Sequence, residues 1–416
     1  MKFFYNLISF IFLLISPLII VYRILVNKED NKRFLERYGI NSVKRKKGKV
    51  IWFHCSSVGE LLSIVPVLEK FEKNSLINQI LLTSTTLSSS KIVKKLNFKK
   101  TVHQFFPIDN NFVMKKFINY WNPSIFFLCE SEIWPNLIKI VKSKNIRLVL
   151  INGRITKKSF RKWKKIKNFA NQTFSKFDMC LVQNAETKKR LKILGARNIN
   201  YLGNLKFSTS KIFKSNFLDK KTINFFKKKK ILITAASTHF NEEDFIIKNH
   251  IYFKNKFKNK NLVSIIVPRH IERIDQIKQE IEKHSFRSHL HSSNKKIHPK
   301  TDFYLVNTYG ELNKFYKISY MVFMGGSLID RGGQNPLEAA KLGCKIIHGP
   351  HVSNFKEIYA KLKTLGISKK FLDYNYGSKL IEMENIKIQR NFNNKKLINY
   401  GEKILNLTYS EIKKFI

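Results

Sequence analysis

Residues 49–60 read KVIWFHCSSVGE, and this stretch decides which fold class the chain adopts. Its apolar run, Val50–Phe53, is typical of a strand that is buried on both faces of a parallel sheet. Two serines and Gly59 end the run, and apolar residues then recur at helical spacing over Leu61–Phe71. We expect Gly59 to permit tight backbone geometry where the strand gives way to the helix. The stretch therefore predicts a strand-turn-helix unit of an α/β fold.

Glu60 stands at the junction between this predicted strand and helix. Open α/β sheets bind ligands beyond the carboxyl ends of their strands, so a carboxylate at this point is a candidate general base. A commoner role for an acidic residue in the first helical turn is to complement the helix dipole. Taken alone, the stretch leaves both interpretations open.

The same alternation of apolar run, polar turn and helical pattern continues along the chain. The other predicted strands are Ile80–Leu82, Ser124–Cys129, Arg147–Ile151, Met179–Val182, Ile231–Thr234, Leu262–Val267, Phe303–Val306 and Tyr320–Met324. The lysine run at 227–230 separates the two series of strands, so a second domain is expected to begin shortly before residue 231. This order predicts two α/β domains in tandem, with a cleft between them.

The charge balance is strongly basic: 78 Lys and Arg residues against 29 Asp and Glu residues, a formal net charge of +49 over 416 residues. Such a charge favours anionic partners, namely nucleic acid, anionic lipid headgroups or phosphorylated substrates. The chain also uses Lys, Asn, Ile and Phe heavily, as a drift in genome composition produces. We therefore interpret most lysines as solvated surface. No nucleic-acid-binding motif accompanies the charge, so we expect no nucleic-acid partner.

The four cysteines, Cys55, Cys129, Cys180 and Cys344, are far apart and form no Cys-x-x-Cys pair. They are typical of reduced thiols in a cytosolic compartment. The histidines likewise show no metal-ligand spacing. The sequence therefore predicts no metal site.

The segment Phe3–Tyr22 is almost continuously apolar and long enough for a helix across about 30 Å of hydrocarbon. No small-x-small cleavage site follows it, which favours a retained membrane anchor, residues 1–26, over a cleaved signal peptide. Only Lys2 precedes the segment, whereas several basic residues follow it up to Arg37, so the positive-inside rule places the main body in the cytoplasm. Pro17 and the polar breaks leave a shallow, interfacial helix open as the alternative to a full span.

In the second half, residues 332–338 read GGQNPLE and open a predicted helix that stops near Gly343. Asn335 suits the N-cap and Pro336 the first helical position, while the glycines let a ligand approach N–H groups at the positive helix end. This pattern predicts phosphate binding. Glu338 has the spacing of a capping-box partner for Asn335, and a hydrogen bond to a ribose hydroxyl fits equally.

Arg269 follows a buried strand and Pro268, and its planar guanidinium matches phosphate or carboxylate, although a surface arginine has the same signature. The chain contains no Asp-x-Asp and no Gly-x-x-x-x-Gly-Lys-Ser/Thr motif. Neither a divalent-metal nucleotide clamp nor a P-loop is therefore predicted. If a nucleotide binds, we expect backbone groups and arginine to hold it.

Nine short blocks carry a resemblance. They are SSVGE (56–60), ESEIWPN (130–136), NGRITKKSF (152–160), GNLKF (203–207), VPRH (267–270), YGEL (309–312), GGS (325–327), GGQNPLE (332–338) and HGP (348–350). In this order they resemble the 3-deoxy-D-manno-octulosonic acid (Kdo) transferases of lipopolysaccharide assembly, from the N-terminal segment to about residue 360. Departures are modest: Gly153 stands where Ala is usual, Asn307 where Asp is common and Ala339 where Pro is common.

The resemblance implies a GT-B glycosyltransferase: two Rossmann-like parallel-sheet domains facing a cleft, acting with inversion and without metal or cofactor. Residues 27–222 would form the acceptor-binding domain. Residues 223–416 would form the CMP-Kdo-binding domain, with a last helix that is a candidate to pack on the first domain. The implied partners are the donor CMP-Kdo, a lipid A precursor as acceptor and the anionic inner membrane, with the domains on its cytoplasmic face.

The resemblance also assigns roles to residues. Glu60 matches the family's general base, which takes a proton from the acceptor hydroxyl. Glu130 and Lys206 match positions that stabilise the transition state, and which of them faces the sugar and which the phosphate stays open. The implied CMP contacts are Pro268, Arg269, Tyr309, Gly310, Glu311, Asn335, Pro336, Leu337 and Glu338. Arg154 and Ser159 are candidate acceptor contacts.

Two other functions stay open. One is a membrane-associated GT-B glycosyltransferase with a UDP-sugar donor, which is separated from the first by the nucleotide sugar that supports transfer. The other is a non-catalytic, basic membrane-binding protein. This last function predicts that Glu60→Ala leaves activity intact.

Overall fold

A computed structural model of the protein describes residues 2–208, 217–258, 261–386 and 394–416. The chain forms two compact units, one of Met1–Ile212 with Tyr400–Ile416 and one of Phe213–Asn399. Each unit contains one seven-stranded sheet that alternates along the chain with helices. The predicted fold class, two parallel-sheet α/β folds in one chain, is therefore confirmed.

The first unit begins with a long apolar helix and continues as alternating strands and helices. Its elements are α1 (Lys2–Leu25), β1 (Val50–Cys55), α2 (Val58–Glu72), β2 (Gln79–Ser84), α3 (Leu87–Lys94), β3 (Thr101–Phe105), α4 (Asn111–Trp121), β4 (Ile125–Cys129), α5 (Pro135–Ser143), β5 (Arg147–Gly153), α6 (Lys157–Lys165), α7 (Lys167–Phe174), β6 (Met179–Val182), α8 (Ala185–Leu194) and β7 (Ile199–Tyr201). The strands are parallel, in the order β3-β2-β1-β4-β5-β6-β7.

The central strand β1 shows why the opening stretch decides the fold. All six of its residues are buried, because helices cover both faces of a parallel sheet. Trp52 pairs in register with Leu81 of β2 and Phe126 of β4, and its ring stacks on Phe126 with centroids 3.9 Å apart. The apolar run Val50–Phe53 thus forms the middle of the hydrophobic core.

The turn from β1 to α2 differs from the expectation in one respect. The helix begins at Val58, and the backbone N–H of Glu60 donates to the hydroxyl of the N-cap Ser57 at 3.3 Å. Gly59 lies inside the first helical turn and is not among the residues with positive φ. The expectation that Gly59 supplies the special backbone geometry is therefore wrong, because the serine cap makes the turn.

The second unit repeats the architecture. Its elements are α9 (Lys220–Lys227), β8 (Lys230–Thr238), α10 (Glu242–Phe257), β9 (Leu262–Pro268), α11 (Ile274–Lys283), β10 (Ser288–Leu290), β11 (Phe303–Leu305), α12 (Leu312–Tyr316), β12 (Met321–Met324), α13 (Leu337–Lys341), β13 (Lys345–His348), α14 (Lys356–Thr364), β14 (Ser368–Lys370) and α15 (Tyr374–Ile386). The strands are again parallel, in the order β10-β11-β9-β8-β12-β13-β14.

A final helix, α16 (Lys395–Lys413), follows, and its residues from Tyr400 onward belong to the first unit. There the ring of Tyr409 lies against Phe71 of α2, with centroids 4.9 Å apart. The C-terminal residues thus complete a surface of the first unit.

The helix after residues 332–336 begins later than predicted. Pro336 is the N-cap, and α13 has only five residues. The Asn335 side chain still accepts the backbone N–H of Leu337, at 3.1 Å. Asn335 as N-cap and Pro336 as first helical residue are therefore wrong by one position, because the turn continues through the proline before helical geometry begins.

The N-terminal apolar segment forms the predicted helix. Of the residues that the structure describes, Phe3–Leu25 is the one helix long and apolar enough, by length and composition, to cross a membrane.

Candidate active site

The order of strands in the first sheet reverses between β1 and β4, which are neighbours in space but not in sequence. Crevices for ligands form outside the carboxyl ends of strands at such a switch point. Glu60 follows β1 in the first turn of α2, and Glu130 follows β4 directly. The topology thus brings two of the predicted site residues to the position that open α/β sheets use for ligands.

The Glu60 carboxylate is 8% exposed and is held by its own strand-to-helix turn. The backbone N–H of Ser56 donates to Oε2 at 2.7 Å, and the Ser56 hydroxyl donates to Oε1 at 3.0 Å. Burial and then the nearby negative charge of Glu130 raise the pKa of Glu60 to about 7, and the bonds from Ser56 oppose the rise. At neutral pH this carboxyl group is poised to give and accept a proton.

The Glu60 carboxylate keeps capacity for a further partner. A carboxylate offers about four acceptor positions, and Ser56 fills two of them. A Cβ added at the preceding residue, Gly59, would meet no atom within 4 Å, so the space beside the helix terminus is open. The bonds from Ser56 therefore leave about two acceptor positions of the Glu60 carboxylate for a ligand.

Glu130 is held much more tightly. It has a positive φ of 53°, which is uncommon for a residue with a side chain. Its backbone N–H donates to the carbonyl oxygen of Ile151 at 3.0 Å, and its carbonyl oxygen accepts the N–H of Arg154 at 3.2 Å. Its Oε1 lies 2.7 Å from the ammonium of Lys206. Strained backbone of this kind concentrates at functional sites.

Asn152 joins the two halves of this ion pair and was missed by the sequence reasoning. Its side-chain NH2 donates to Glu130 Oε1 at 3.2 Å, and its side-chain oxygen accepts the N–H of Leu205 at 3.0 Å. Asn152 is 2% exposed and has a positive φ of 50°, which asparagine tolerates better than most residues. Its place as first residue of the NGRITKKSF block was the only available signal.

The segment that carries Lys206 is a short 3₁₀ turn, Leu205–Ser208, braced by the C-terminal helix. The rings of Phe207 and Tyr400 meet with centroids 5.1 Å apart. A Cβ at Gly401 would lie 2.3 Å from the carbonyl oxygen of Phe207, so only glycine permits this close approach. Helix α16 therefore fixes the backbone beneath the Lys206 ammonium.

The two candidate acceptor contacts follow the next strand, β5. Arg154 is half-buried and is tied to Glu130 through its backbone N–H. Ser159 lies in the first turn of α6, where its backbone N–H donates to the hydroxyl of Thr156 at 3.1 Å. Both residues thus lie on the carboxyl side of the sheet that bears Glu60 and Glu130.

In the second sheet, the predicted CMP contacts follow three strands that lie close together in the order β11-β9-β8-β12. Pro268 ends β9 and Arg269 follows it with an exposed side chain. Residues 309–311 come after β11, and residues 335–338 come after β12. Parallel strands place all these blocks at one edge of this sheet.

His239, after the central strand β8, lies among several of these groups. Its ring is 5.8 Å from that of His270, and its Nε2 is 3.4 Å from the side-chain nitrogen of Gln334. Burial, followed by the positive charges of His270, Arg331 and Arg269, lowers the pKa of His239. This carboxyl edge is therefore electropositive, which suits an anionic ligand.

The backbone N–H groups of the glycine loops are largely occupied. The buried carboxylate of Glu242 accepts the N–H groups of Gly326, Ser327 and Leu328 at 2.6, 3.0 and 3.0 Å. The N–H of Gly333 donates to Gly326. In the loop before α13, the N–H groups of Gly333 and Gln334 therefore already have carbonyl acceptors, at 2.7 and 3.1 Å, and phosphate binding by residues 332–338 stays a prediction.

The predicted side chains at this edge are mostly exposed, and several of them have partners within the second unit. Asn335 and Glu338 are exposed, and no bond from Glu338 to the backbone of Asn335 occurs within the described ranges, so the capping-box interpretation of Glu338 finds no support. Tyr309 is 64% exposed, and its hydroxyl donates to Glu272 at 3.2 Å. Glu311 pairs with Lys314 at 2.5 Å.

Across residues 2–208, 217–258, 261–386 and 394–416, no group of three or more His, Cys, Asp or Glu side chains is arranged to hold a metal ion. All four cysteines are buried and free. The chemistry of the described site residues is thus that of carboxylates, basic side chains and an amide.

Comparison with known proteins decides the family. A family model described as 3-deoxy-D-manno-octulosonic-acid transferase (kdotransferase) matches residues 32–209. A 3-deoxy-D-manno-octulosonic acid transferase of Rickettsia bellii is 33% identical over 402 residues, which cover 96% of this chain and 94% of that protein. This chain belongs to the Kdo transferase family. The Kdo transferase of Haemophilus influenzae is 30% identical and covers 87% of this chain and 85% of its own.

Membership of the Kdo transferase family makes this chain a glycosyltransferase, as the resemblance of the nine sequence blocks implied. Among solved structures, the UDP-GlcNAc 2-epimerase from Neisseria meningitidis bound to UDP-GlcNAc matches with a TM-score of 0.58 and 13% identity, covering 87% of this chain and 100% of its own. This likeness shows the fold alone: two Rossmann-like units of GT-B type.

Proposed function

We propose that this Kdo transferase moves Kdo from CMP-Kdo to a lipid A precursor, with inversion at the anomeric carbon and without a metal ion. The observation that carries the proposal is the state of Glu60. It lies at the switch point of the first sheet, its pKa is raised to about 7, and half of its acceptor capacity is unfilled. These are the properties of a general base that works near neutral pH.

In the proposed reaction, Glu60 takes the proton of the acceptor hydroxyl as its oxygen attacks the anomeric carbon of Kdo. The bond from that carbon to the phosphate oxygen of CMP breaks, and CMP leaves with the electron pair. One displacement of this kind inverts the configuration at the carbon. The proton ends on Glu60 and passes to solvent after the product leaves.

Glu130 and Lys206 are proposed to act as one preorganised pair. The sugar gains positive character and the phosphate negative charge as the bond breaks, and fixed charges stabilise both without reorganising. The ion pair between Glu130 and Lys206, with its atoms 2.7 Å apart and a hydrogen bond from Asn152 to Glu130, supplies such fixed charges. The pair also keeps Glu130 from acting as a second base, because its carboxylate is already bound to a cation.

The electropositive edge of the second unit is proposed to bind the donor. CMP-Kdo carries a phosphate and a sugar carboxylate, and Arg269 and its neighbours provide matching charge. The same residues as before are proposed to contact CMP: Pro268, Arg269, Tyr309, Gly310, Glu311, Asn335, Pro336, Leu337 and Glu338. Because the N–H groups of Gly333 and Gln334 already have acceptors, we expect side chains to contribute to the phosphate binding.

The acceptor is proposed to bind at residues 27–222, with Arg154 and Ser159 near its sugar or phosphates, and the donor at residues 223–416. A lipid acceptor requires that the enzyme work at a membrane. We propose the cytoplasmic face of the inner membrane, with residues 1–26 as anchor, which the apolar helix and the basic residues after it support.

The product mass from CMP-Kdo and a tetraacylated lipid A precursor tests the proposal. The expected product is heavier than the acceptor by one or more Kdo residues and forms equally in the presence of EDTA. Nuclear magnetic resonance of the product should show the anomeric configuration inverted relative to CMP-Kdo. Transfer from a UDP-sugar but not from CMP-Kdo would overturn the proposed donor, and loss of turnover in EDTA would overturn the metal-free mechanism.

A further inference from the structure

Helix α1 packs against the rest of the first unit along its length. The less exposed side chains of the helix include Tyr5, Ser9, Ser16, Ile20 and Arg23, which recur at intervals typical of one helical face. Ser16 and Ile20 are buried, at 2% and 6% exposure. This stripe, which we call the latch face, contacts the rest of the unit from the beginning of the helix to its end.

The first half of the latch face is bound by hydrogen bonds. The hydroxyl of Tyr5 donates to Asp109 Oδ2 at 2.7 Å, and the side-chain NH2 of Asn136 lies 3.4 Å from the Ser9 hydroxyl. Asp109 itself accepts the backbone N–H of Leu137 at 2.8 Å, at the start of α5. The helix is therefore tied to groups that already cap the core of the first unit.

The second half of the latch face is bound in the same way. The Ser16 hydroxyl lies 3.1 Å from the hydroxyl of Tyr38, and Arg23 Nε lies 3.1 Å from the buried carboxylate of Glu29. From Tyr5 to Arg23 the helix rises about 27 Å, close to the thickness of a bilayer's hydrocarbon of about 30 Å. Contacts thus run over the whole length that a spanning helix would place in lipid.

A full span would carry the partners of the latch face into hydrocarbon. Asp109, Glu29 and the polar termini of α4 and α5 are parts of a water-soluble α/β unit, and charged groups in the bilayer centre are costly. If those polar groups stay outside the bilayer while α1 spans it, the contacts of the latch face must break. Neither cost arises if the helix lies flat at the membrane surface.

The opposite face of α1 is apolar and uncovered. Its exposed side chains are Phe3, Phe4, Leu7, Ile8, Phe10, Ile11, Phe12, Leu14, Ile15, Leu18, Ile19, Val21, Tyr22 and Leu25. An apolar face of this length is far larger than the scattered surface residues of a soluble unit. It matches the acyl-chain region just below lipid headgroups.

A basic helix lies near the amino end of α1. The ring of Tyr5 is 6.0 Å from that of Phe169, which is 6.2 Å from that of Trp163 in α6. Helix α6 reads KKSFRKWKK and contains no acidic residue. Its lysines and arginine are exposed, so they are placed to meet anionic headgroups while α1 meets the acyl chains.

We propose that α1 is an in-plane helix, half embedded in one leaflet of an anionic bilayer, and that α6 binds the headgroups beside it. The inference rests on the membrane location proposed above but not on Kdo transfer. It has a further consequence: the carboxyl edge with Glu60 belongs to the same unit as this membrane surface, so a lipid acceptor need not leave the bilayer fully.

Depth measurements on the full chain test the orientation of α1. Phe4, Ile11, Leu18 and Leu25 recur every seven residues and are 61%, 46%, 73% and 75% exposed. Each is replaced in turn by Cys and labelled with a fluorophore. The native cysteines are buried, which keeps background labelling low. Quenching by lipids spin-labelled at different depths in phosphatidylglycerol vesicles then locates each probe.

An in-plane helix places all four probes at one shallow depth, roughly 5–10 Å below the headgroups. A profile with Ile11 and Leu18 deepest and Phe4 and Leu25 shallow would show a span and overturn the proposal, as would the absence of quenching at every position. A spanning profile with intact Kdo transfer removes this inference alone, whereas failed transfer with a flat profile removes only the proposed enzymatic reaction.

The role of α6 is tested with Lys158→Gln combined with Lys162→Gln, two exposed residues. On phosphatidylglycerol vesicles we expect about thirtyfold weaker binding, since each of the two basic residues near an anionic surface contributes to membrane affinity. On neutral phosphatidylcholine vesicles the double variant and the parent should bind alike. Equal binding on anionic vesicles would overturn the headgroup contact.

Discussion

Glu60 and Glu130 follow neighbouring strands of one sheet, yet they are held in opposite ways. Glu130 is paired with Lys206 at 2.7 Å and hydrogen-bonded by Asn152. Glu60 accepts bonds only from Ser56, and no Lys or Arg of the described ranges forms an ion pair with it. Two similarly buried carboxylates thus differ in whether a cation compensates their charge.

The presence or absence of a neighbouring cation suits the two carboxylates to different chemical roles. A carboxylate without a cation binds its proton more strongly, and the charge of Glu130 adds to this effect, so Glu60 has a pKa raised to about 7. The Glu130 carboxylate instead has the Lys206 ammonium 2.7 Å from its Oε1. We infer that the charge of Glu130 helps to raise the pKa of Glu60, while the ammonium of Lys206 compensates the charge of Glu130.

The largest expected loss of transfer activity is that of the Glu60→Gln variant. This substitution keeps the shape of the side chain, but the amide cannot take a proton. We expect transfer to fall by roughly two to four orders of magnitude, the usual range for a lost acid or base. Initial rates of Kdo transfer measure it. The matched control is Glu69→Gln, exposed on the same helix, which should keep normal rates. Near-normal turnover in Glu60→Gln would assign the base elsewhere.

The second prediction removes the cation. Lys206→Met retains an unbranched side chain and should lower kcat about a hundredfold, as the loss of one preorganised charge does at other active sites. Without the positive charge of Lys206, the pKa of Glu60 should rise further, so the acid limb of the pH profile should move upward. Lys189→Met, exposed on α8, is the control. An unchanged kcat would mean that the pair is only structural.

The third prediction compares the free energies of unfolding of the Glu60→Gln and Glu130→Gln variants. The folded pKa of Glu60, about 7, lies above its ordinary value of 4.5, so folding is favoured while the group is protonated and loses this contribution as pH rises from about 4.5 to 7. Glu60→Gln should therefore raise the free energy of unfolding at pH 8 by about 1–3 kcal/mol. Glu130→Gln should lower it by about 2 kcal/mol, because Lys206 loses its carboxylate.

Tryptophan fluorescence during urea unfolding measures these opposite shifts. All four tryptophans, Trp52, Trp121, Trp134 and Trp163, belong to the first unit, so the signal reports the unit that carries both carboxylates. Shifts of the same sign in the two variants would contradict the contrast between Glu60 and Glu130.

The smallest expected effect is a shift in the pH dependence of kcat/KM. In the parent protein kcat/KM should fall tenfold per pH unit below about 7, because protonated Glu60 cannot act as base. Asn152→Asp adds a negative charge beside Glu130 and should move this limb upward by roughly half a pH unit. Asn168→Asp, exposed on α7, should leave the limb in place. A limb that does not move would show that Asn152 has no electrostatic link to the base.

Sequence patterns predicted the central strands of both sheets but not β3, β7, β10, β13 and β14. Four of these five are the outermost strands, where one side of the strand is unpaired and burial is less complete. β14, for example, is Ser-Lys-Lys, which has no apolar run to recognise. Periodicity detects a strand only when burial constrains its residue types.

The candidate site shows a similar division. The position of Glu60 after a buried strand was readable, and the resemblance pointed to Glu130 and Lys206. Asn152 was missed because a buried asparagine with positive φ has no local pattern. In the loop before α13, the sequence did not show that the N–H groups of Gly333 and Gln334 donate to the carbonyl oxygens of Gly326 and Gly325, because the fold sets that pairing.

The sequence by itself determined the alternation of strands and helices, the apolar N-terminal helix and the place of Glu60 at a strand end. These follow from local residue order, since burial and periodicity act over a few neighbouring positions. Only the tertiary structure decided that Glu130 has a cation while Glu60 has none, and that one face of α1 is latched to the first unit. Charge pairing and pKa depend on distances between residues far apart in the chain, which folding alone sets.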